Sequence, residues 1–263
     1  MKPAESQIVS LRRGLEILRC FREGDAALSV IEIARRTGLA KPTASRLMHT
    51  LASAGCLERR PEDGRHQLRP WSLTIGRRVL EGLPLREIAR PVLQRLARAH
   101  HAAVALGAPH QINMICLEYC VDPTAGTPRL SVGSVLPMGK TALGRAYLGA
   151  LPPERRWAML MRLEQAGRQA SGDPAAIGRA FAELNEHGMC SSHDGWRRGI
   201  FALAAPLVFA DGTVLALNCA VPRLGLNEQR FRDECGPDLL GAAADIRNAV
   251  GPVDADWLGV GAS

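Results

Sequence analysis

The sequence predicts an α+β protein of two domains, an N-terminal winged helix-turn-helix followed by a domain of mixed strands and helices. Three observations carry that expectation. Residues 28–60, LSVIEIARRTGLAKPTASRLMHTLASAGCLERR, read as a capped short helix, a glycine turn, a second helix and the start of a hairpin. Strand-type and helix-type patterns alternate from residue 102 onward. Of the net charge of +7, residues 1–70 hold +5 and the rest only +2, so the excess sits with the helix pair. That asymmetry is the electrostatic footprint of nucleic-acid binding.

Each element has its own local reason. From Ile8 the pattern is helical, and Leu11, Leu15, Leu18 and Phe21 form one apolar side that should cover the helix pair. Ser29 followed three residues later by Glu32 is a capping box opening a helix over about 29–36. Gly38 permits the turn, and Pro42 fits the first turn of a second helix over about 41–54. Ala44, Leu47, Met48 and Leu51 recur at steps of three and four and make its buried stripe. Thr43, Arg46, His49, Thr50 and Ser53 fall mainly on the other side. Guanidinium, hydroxyl and imidazole groups donate to phosphates and to base edges in a major groove. Gly55 ends the helix. Around Asp63-Gly64 the segments CLERR and RHQLR make the two-stranded wing, which carries Arg65 as a further DNA contact. A linker helix runs from Trp71 to about Leu80, with Leu73, Ile75, Val79 and Leu80 available for burial, until GLP at 82–84 breaks it. A longer helix from Leu85 follows, with Pro91 as a kink. The predicted domains are therefore 1–70, a linker at 71–84, and 85–263.

In the second domain, 102–108, 112–121 and 129–134 read as strands, and 140–151, 152–165 and 175–188 as helices. MCSS, FALAAPLVF and VLALNCAV read as further strands, the last two joined at Asp211-Gly212. Two closing helices, about 227–235 and 237–250, are separated by Gly236-Pro237. Strands with helices on one side imply a sensor-type α+β domain.

Composition excludes several classes. With 46% hydrophobic and 22% charged residues, the chain is globular rather than disordered. No apolar run is long enough to cross a bilayer, and MKPAESQIVS has no signal-peptide core. Seven scattered cysteines in such a chain read as reduced thiols of a cytoplasmic protein. GxSxG, HExxH and P-loop motifs are missing, so no cofactor is implied and an enzyme domain tethered to DNA is a secondary alternative. A thiol or metal sensor is another: His187, Cys190 and His193 form H-x2-C-x2-H. Cys116 and Cys120, four apart on a strand, are expected on the same side, buried as small hydrophobes.

Taken together, six stretches in order resemble the IclR family of bacterial transcriptional regulators. SLRRGLEILRCF is similar to the family's opening helix, the 28–59 stretch to its helix-turn-helix and wing, and LREIARPVLQRLA to the helix opening its second domain. VGSVLPMGKTALGRAYLGAL, HGMCSSHDGWRRGIFALAAPLV and VLALNCAVP resemble stretches of its ligand domain. The resemblance implies a GAF-like C-terminal domain that binds a small-molecule effector, and a homodimer or homotetramer on a palindromic double-stranded DNA operator. It places DNA contacts at Lys41, Thr43, Ser45 and Arg46. It places ligand contacts at Thr141, Ala142, Leu143, Asp194 and the loop after it, Ala202, and the strand from Asn218 to Ala220. Trp196 in that loop is a candidate lid over the pocket. Members often carry a Glu where Gly195 stands, and small hydroxyl residues where Asn218 and Ala220 stand.

Overall fold

The structure is a computed structural model that describes residues 8–22, 24–127, 130–167 and 171–250. It divides into two compact units, Met1–Glu81 and Gly82–Ser263.

In the first unit, α1 (Val9–Arg19), α2 (Val30–Thr37) and α3 (Lys41–Ser53) are followed by the antiparallel strands β1 (Leu57–Arg59) and β2 (His66–Leu68). The capping box forms: the Ser29 N–H donates to Glu32 Oε2 at 2.8 Å, and the Glu32 N–H donates to Ser29 Oγ at 3.2 Å. Gly38 adopts φ 68°, which ends α2. Ile17, Leu28, Ile33, Met48 and Leu57 make the core. Two expectations are corrected here. In α1 the buried positions are Gly14 and Ile17, flanked by Leu18 and Phe21, whereas Leu11 is 61% and Leu15 45% exposed. The buried stripe is thus turned away from the Leu11–Leu15 side, toward Ile17, Leu18 and Phe21. The helix over 71–80 exists as α4 (Ser72–Glu81), yet none of its residues is buried, and Leu73, Ile75 and Val79 face outward.

The second unit is built on one six-stranded antiparallel sheet in the order β5-β4-β3-β8-β7-β6. Its strands are β3 (Ala103–His110), β4 (Asn113–Val121), β5 (Val135–Pro137), β6 (Cys190–His193), β7 (Ile200–Val208) and β8 (Val214–Pro222). The helices are α5 (Pro84–Ala99), α6 (Ala142–Ala150), α7 (Pro153–Gln165), α8 (Pro174–His187) and α9 (Glu228–Val250). They cover both faces of the sheet rather than one. Leu85, Leu93, Leu239 and Ile246 of α5 and α9 pack with Val104, Leu106, Leu217 and Cys219 on one side. Leu143, Leu148, Leu163 and Ala180 of α6, α7 and α8 pack with Ala105, Met114, Ala204 and Ala216 on the other. Alternation along each strand supplies both faces, which is why these strands read as nearly continuous apolar runs.

Three further differences each have an identifiable cause. The strand expected at 129–134 is replaced by a turn ahead of β5. There Gly133 sits at φ 88° and donates to the Cys116 carbonyl at 2.8 Å, and the Ser131 N–H donates to Ser134 Oγ; Arg129 lies outside the described residues. The two closing helices are one, running through Pro237. Phe231, Cys235, Leu239, Ala242 and Ile246 keep one buried stripe across it, so packing on the sheet overrides the proline. Finally, Cys116 and Cys120 face opposite sides of the sheet. The pairing of β3 with β4 slips between Leu106 and Gly107, which are opposite Glu118 and Cys116 and leave Leu117 unpaired. This bulge reverses the alternation. Cys116 packs with α6, whereas Cys120 packs with α5, its thiol reaching the Arg90 carbonyl. At the bulge, Arg86 of α5 donates to the Leu117 carbonyl at 2.9 Å and pairs with buried Glu118 at 2.9 Å.

Candidate functional site

The N-terminal unit presents α3 as a convex, cationic face. Ala44 and Met48 are buried, and Lys41, Ser45, Arg46, His49 and Thr50 are exposed on the other side; Thr43 is half-buried. The Thr50 and Ser53 hydroxyls donate back to the Arg46 and His49 carbonyls, at 3.2 and 2.9 Å, and keep their lone pairs outward. Ion pairing separates the cations into two groups. Among the described residues, Lys41 and Arg46 stand in no ion pair. Arg36 is paired with Asp25, and Arg60 with Glu62. Arg65 also belongs to the engaged group: it donates to the Ala27 carbonyl at 3.2 Å and lies 3.4 Å from Glu32. It ties the wing to the start of α2, while its side chain stays 44% exposed. Arg59 is an exposed wing cation that the sequence pattern alone did not single out.

In the second unit, a cavity of about 70 Å³ lies between the sheet, the start of α6 and the loop after β6. Its floor is a ladder of alanines. Ala220 of β8 is opposite Ala103 of β3 on one side and Ala202 of β7 on the other. Three methyl groups in a row leave space where larger side chains would fill it. Thr141, Ala142, Leu143, Trp196, Ala202, Asn218 and Ala220 all line this cavity. Thr141 is also the N-cap of α6: its hydroxyl accepts from the Gly144 N–H at 3.1 Å and donates to the Pro137 carbonyl at 3.0 Å. Gly144 lets the helix lie on the preceding turn, since a Cβ there would stand 2.1 Å from the Met138 carbonyl oxygen.

Two lining groups have no hydrogen-bond partner among the described residues. Asn218 Oδ1 and Thr127 Oγ1 are both buried and unsatisfied. A buried polar atom left unpaired costs about 1–3 kcal/mol, so a ligand that pairs it recovers that energy. Thr127 was not anticipated, because nothing in its local sequence connects it to strands β7 and β8. Lys140, beside Thr141, adds a positive charge to the wall.

Asp194 differs from the other expected ligand contacts: it does not line the cavity. At φ 51° it accepts from the Gly199 N–H at 2.5 Å and from Arg223 Nη1 at 2.7 Å. The Gly199 N–H, with help from Arg223, holds its carboxyl below the usual carboxylate range. Asp194 therefore braces the loop that carries Trp196. Gly195 fits because a Cβ there would meet the Lys140 carbonyl oxygen at 2.1 Å.

The sensor alternatives find little geometric support. His187, Cys190 and His193 do not converge, and no group of three potential metal ligands exists among the described residues. His193 pairs with Glu228 at 3.1 Å, and the Cys190 thiol reaches the Ala142 carbonyl. Burial pushes the Cys116 and Cys190 thiols up to about 12, which keeps them protonated and unreactive. No helix among the described residues is long and apolar enough to cross a membrane.

Comparison with known proteins gives a consistent result. The IclR helix-turn-helix domain family matches residues 10–61, and the C-terminal domain family of the bacterial transcriptional regulator IclR matches residues 77–248. The HTH-type transcriptional regulator TsaQ1/TsaQ2 of Comamonas testosteroni is 30% identical over 242 residues, covering 90% of this chain and 87% of that protein. A crystal structure of an IclR family transcriptional regulator from Brucella abortus superposes with a TM-score of 0.84 at 34% identity, covering 95% of both chains. An IclR homologue from Microbacterium hydrocarbonoxydans, crystallised with 4-hydroxybenzoate, shares the fold with a TM-score of 0.69 at 24% identity, over 91% of this chain and 98% of the other.

Proposed function

Because the chain belongs to the IclR family of bacterial transcriptional regulators, we propose that it is an effector-responsive regulator whose alanine-floored cavity holds a small aromatic carboxylate. The observation that carries this reading is the pair of unsatisfied atoms, Asn218 Oδ1 and Thr127 Oγ1, in a mostly apolar cavity. Pockets that recognise small molecules combine apolar walls with a few aimed polar groups. Asn218 Oδ1 asks for a donor such as a ring hydroxyl, and Lys140 suits a carboxylate. The Microbacterium homologue was crystallised with a compound of this class. Its role is regulatory rather than catalytic, like that of its relatives, and its place is the cytoplasm.

On the DNA side, Lys41, Thr43, Ser45, Arg46, His49 and Thr50 form the reading face, with Arg65 buttressing the wing. Residues 1–70 are the DNA-binding domain, 71–84 the linker and 85–263 the effector and oligomerisation domain. A homodimer or homotetramer places two reading faces on operator half-sites separated by whole helical turns, about 34 Å each. The outward apolar side chains of α1 and α4, Leu11, Leu73, Ile75 and Val79 among them, support burial against a second copy. The effector acts by biasing the arrangement of paired reading faces, a coupling of about 1–3 kcal/mol.

A thermal-shift titration tests the cavity. With 4-hydroxybenzoate at a hundred times its dissociation constant, stability should rise by about 2.7 kcal/mol. The Asn218→Leu variant should show no rise. An equal rise in both proteins would remove the cavity from the mechanism.

A further inference from the structure

A second and larger cleft, about 580 Å³, opens between α6, the first half of α8 and strand β6. It shares only Lys140 and Gly195 with the alanine-floored cavity, and its chemistry is different. Arg145, on α6, lines it and is 6% exposed. Its Nε donates to the Gly139 carbonyl at 3.1 Å, but no carboxylate among the described residues lies within ion-pairing distance. The same unit treats half-buried Arg86 differently, setting it against buried Glu118 at 2.9 Å.

The acidic groups around the cleft are already engaged. Glu183 accepts from the Ser191 N–H at 2.6 Å and from Arg232 at 3.3 Å. Asp173 caps α8 by accepting from the Ala175 N–H at 3.1 Å, and it lies 3.8 Å from Arg179. His193 is held by Glu228. Among the described residues, Lys140 and Arg145 are therefore left without an ion-pair partner in a partly enclosed space, since the lining carboxylates Asp173 and Glu183 are committed to other groups. An uncompensated buried charge is strongly unfavourable, and a guanidinium fork matches the two oxygens of a carboxylate or phosphate.

We propose that this cleft is a second ligand site that binds a small oxyanion, carboxylate or phosphate, with Arg145 as its anchor and Arg179 and Lys140 at its rim. This site takes a ligand of its own, apart from the aromatic ligand assigned to the cavity, and the two adjoin at Lys140 and Gly195. Arg145 reaches its ligand from within α6, so its position is fixed by helix packing, whereas Arg179 and Lys140 adjust to the anion's size.

The test is calorimetric titration of the full-length protein in chloride buffer, with inorganic phosphate in one arm and malonate in the other. At least one arm should show a single saturable site per chain, and the tighter arm identifies the oxyanion. Arg145→Met should abolish that site. Arg145→Lys keeps the charge but loses the fork and should weaken it about tenfold or more, the size of one lost charged hydrogen bond. Arg179→Ala should weaken it by less. Arg46→Ala, in the basic N-terminal unit, should leave it unchanged and so separates this cleft from general phosphate attraction. If Arg145→Met fails to fold, as judged by circular dichroism, Arg145→Lys and Arg179→Ala decide. The proposal is overturned if neither anion saturates, or if the folded Arg145 and Arg179 variants bind as the parent does. The 4-hydroxybenzoate thermal shift, retained in Arg145→Lys, keeps the fate of this site separate from that of the cavity.

Discussion

At the scale of residues, pairing rather than charge decides which groups are available. Among the described residues, Arg46 and Lys41 stand without ion pairs on α3, whereas Arg65 is tied to Glu32 and the Ala27 carbonyl. Arg46→Ala should therefore weaken operator binding by about 1–3 kcal/mol if it reads a base edge, with an unchanged melting point. Arg65→Ala should cost less DNA affinity and lower the melting point of the N-terminal unit. Gel-shift titration beside a thermal melt separates the two. Asn218→Ala removes an acceptor that has no partner to lose, so the ligand-free protein should change in stability by less than about 1 kcal/mol while effector affinity falls. Asp194 acts at one remove. Its folded carboxyl titrates below the ordinary 3.8, so its bracing is fully present above that value and is lost as pH falls through the lowered one. Asp194→Ala should reproduce the acid state at neutral pH: faster effector dissociation, with DNA affinity intact. Stopped-flow release measured by Trp196 fluorescence reads this directly, and an unchanged release rate would remove the bracing role.

At the scale of elements, α6 is set by backbone contact rather than by its own propensity. α6 lies so close to the Met138 carbonyl that Gly144→Ala should destabilise the second unit by about 1–3 kcal/mol or more and open the cavity at Thr141. Denaturant unfolding with and without effector checks both effects. Local signals made much of this architecture legible. The Ser29–Glu32 box, Gly38, Pro42 and the Asp63-Gly64 turn each act within a few residues, and all appear where the sequence places them. Seven of the eight expected ligand contacts line one cavity, because six of them fall on paired strands or at one helix start and Trp196 lies on the adjoining loop. What failed depended on distant packing. Pro237 looks like a break until the stripe from Phe231 to Ile246 is laid on the sheet. Thr127 joins the cavity, and Arg145 loses its counter-charge, only after chain segments far apart in sequence meet.

At the scale of the whole molecule, the outward apolar faces of α1 and α4 are the surface on which the proposed pairing with a second copy rests. Replacing Leu73 and Ile75 together with serine should shift the protein toward monomer in light scattering and weaken binding to a two-half-site operator far more than to one half-site. Equal loss on both DNAs would point to damage within the N-terminal unit instead. The bulge at Leu117 has a different consequence, for which changes in length the chain can tolerate. Surface connections absorb insertions with little effect on the elements they join. Strand β4 holds one such position in its interior. Leu106 and Gly107 already pair with Glu118 and Cys116 across the bulge, so deleting Leu117 alone would keep Met114 and Cys116 on the α6 side and Glu118 beside Arg86, at the cost of the hydrogen bond from Arg86 to the Leu117 carbonyl. A gene for this protein can lose the codon at position 117, whereas a codon gained elsewhere in β4 would turn one flank of the strand over.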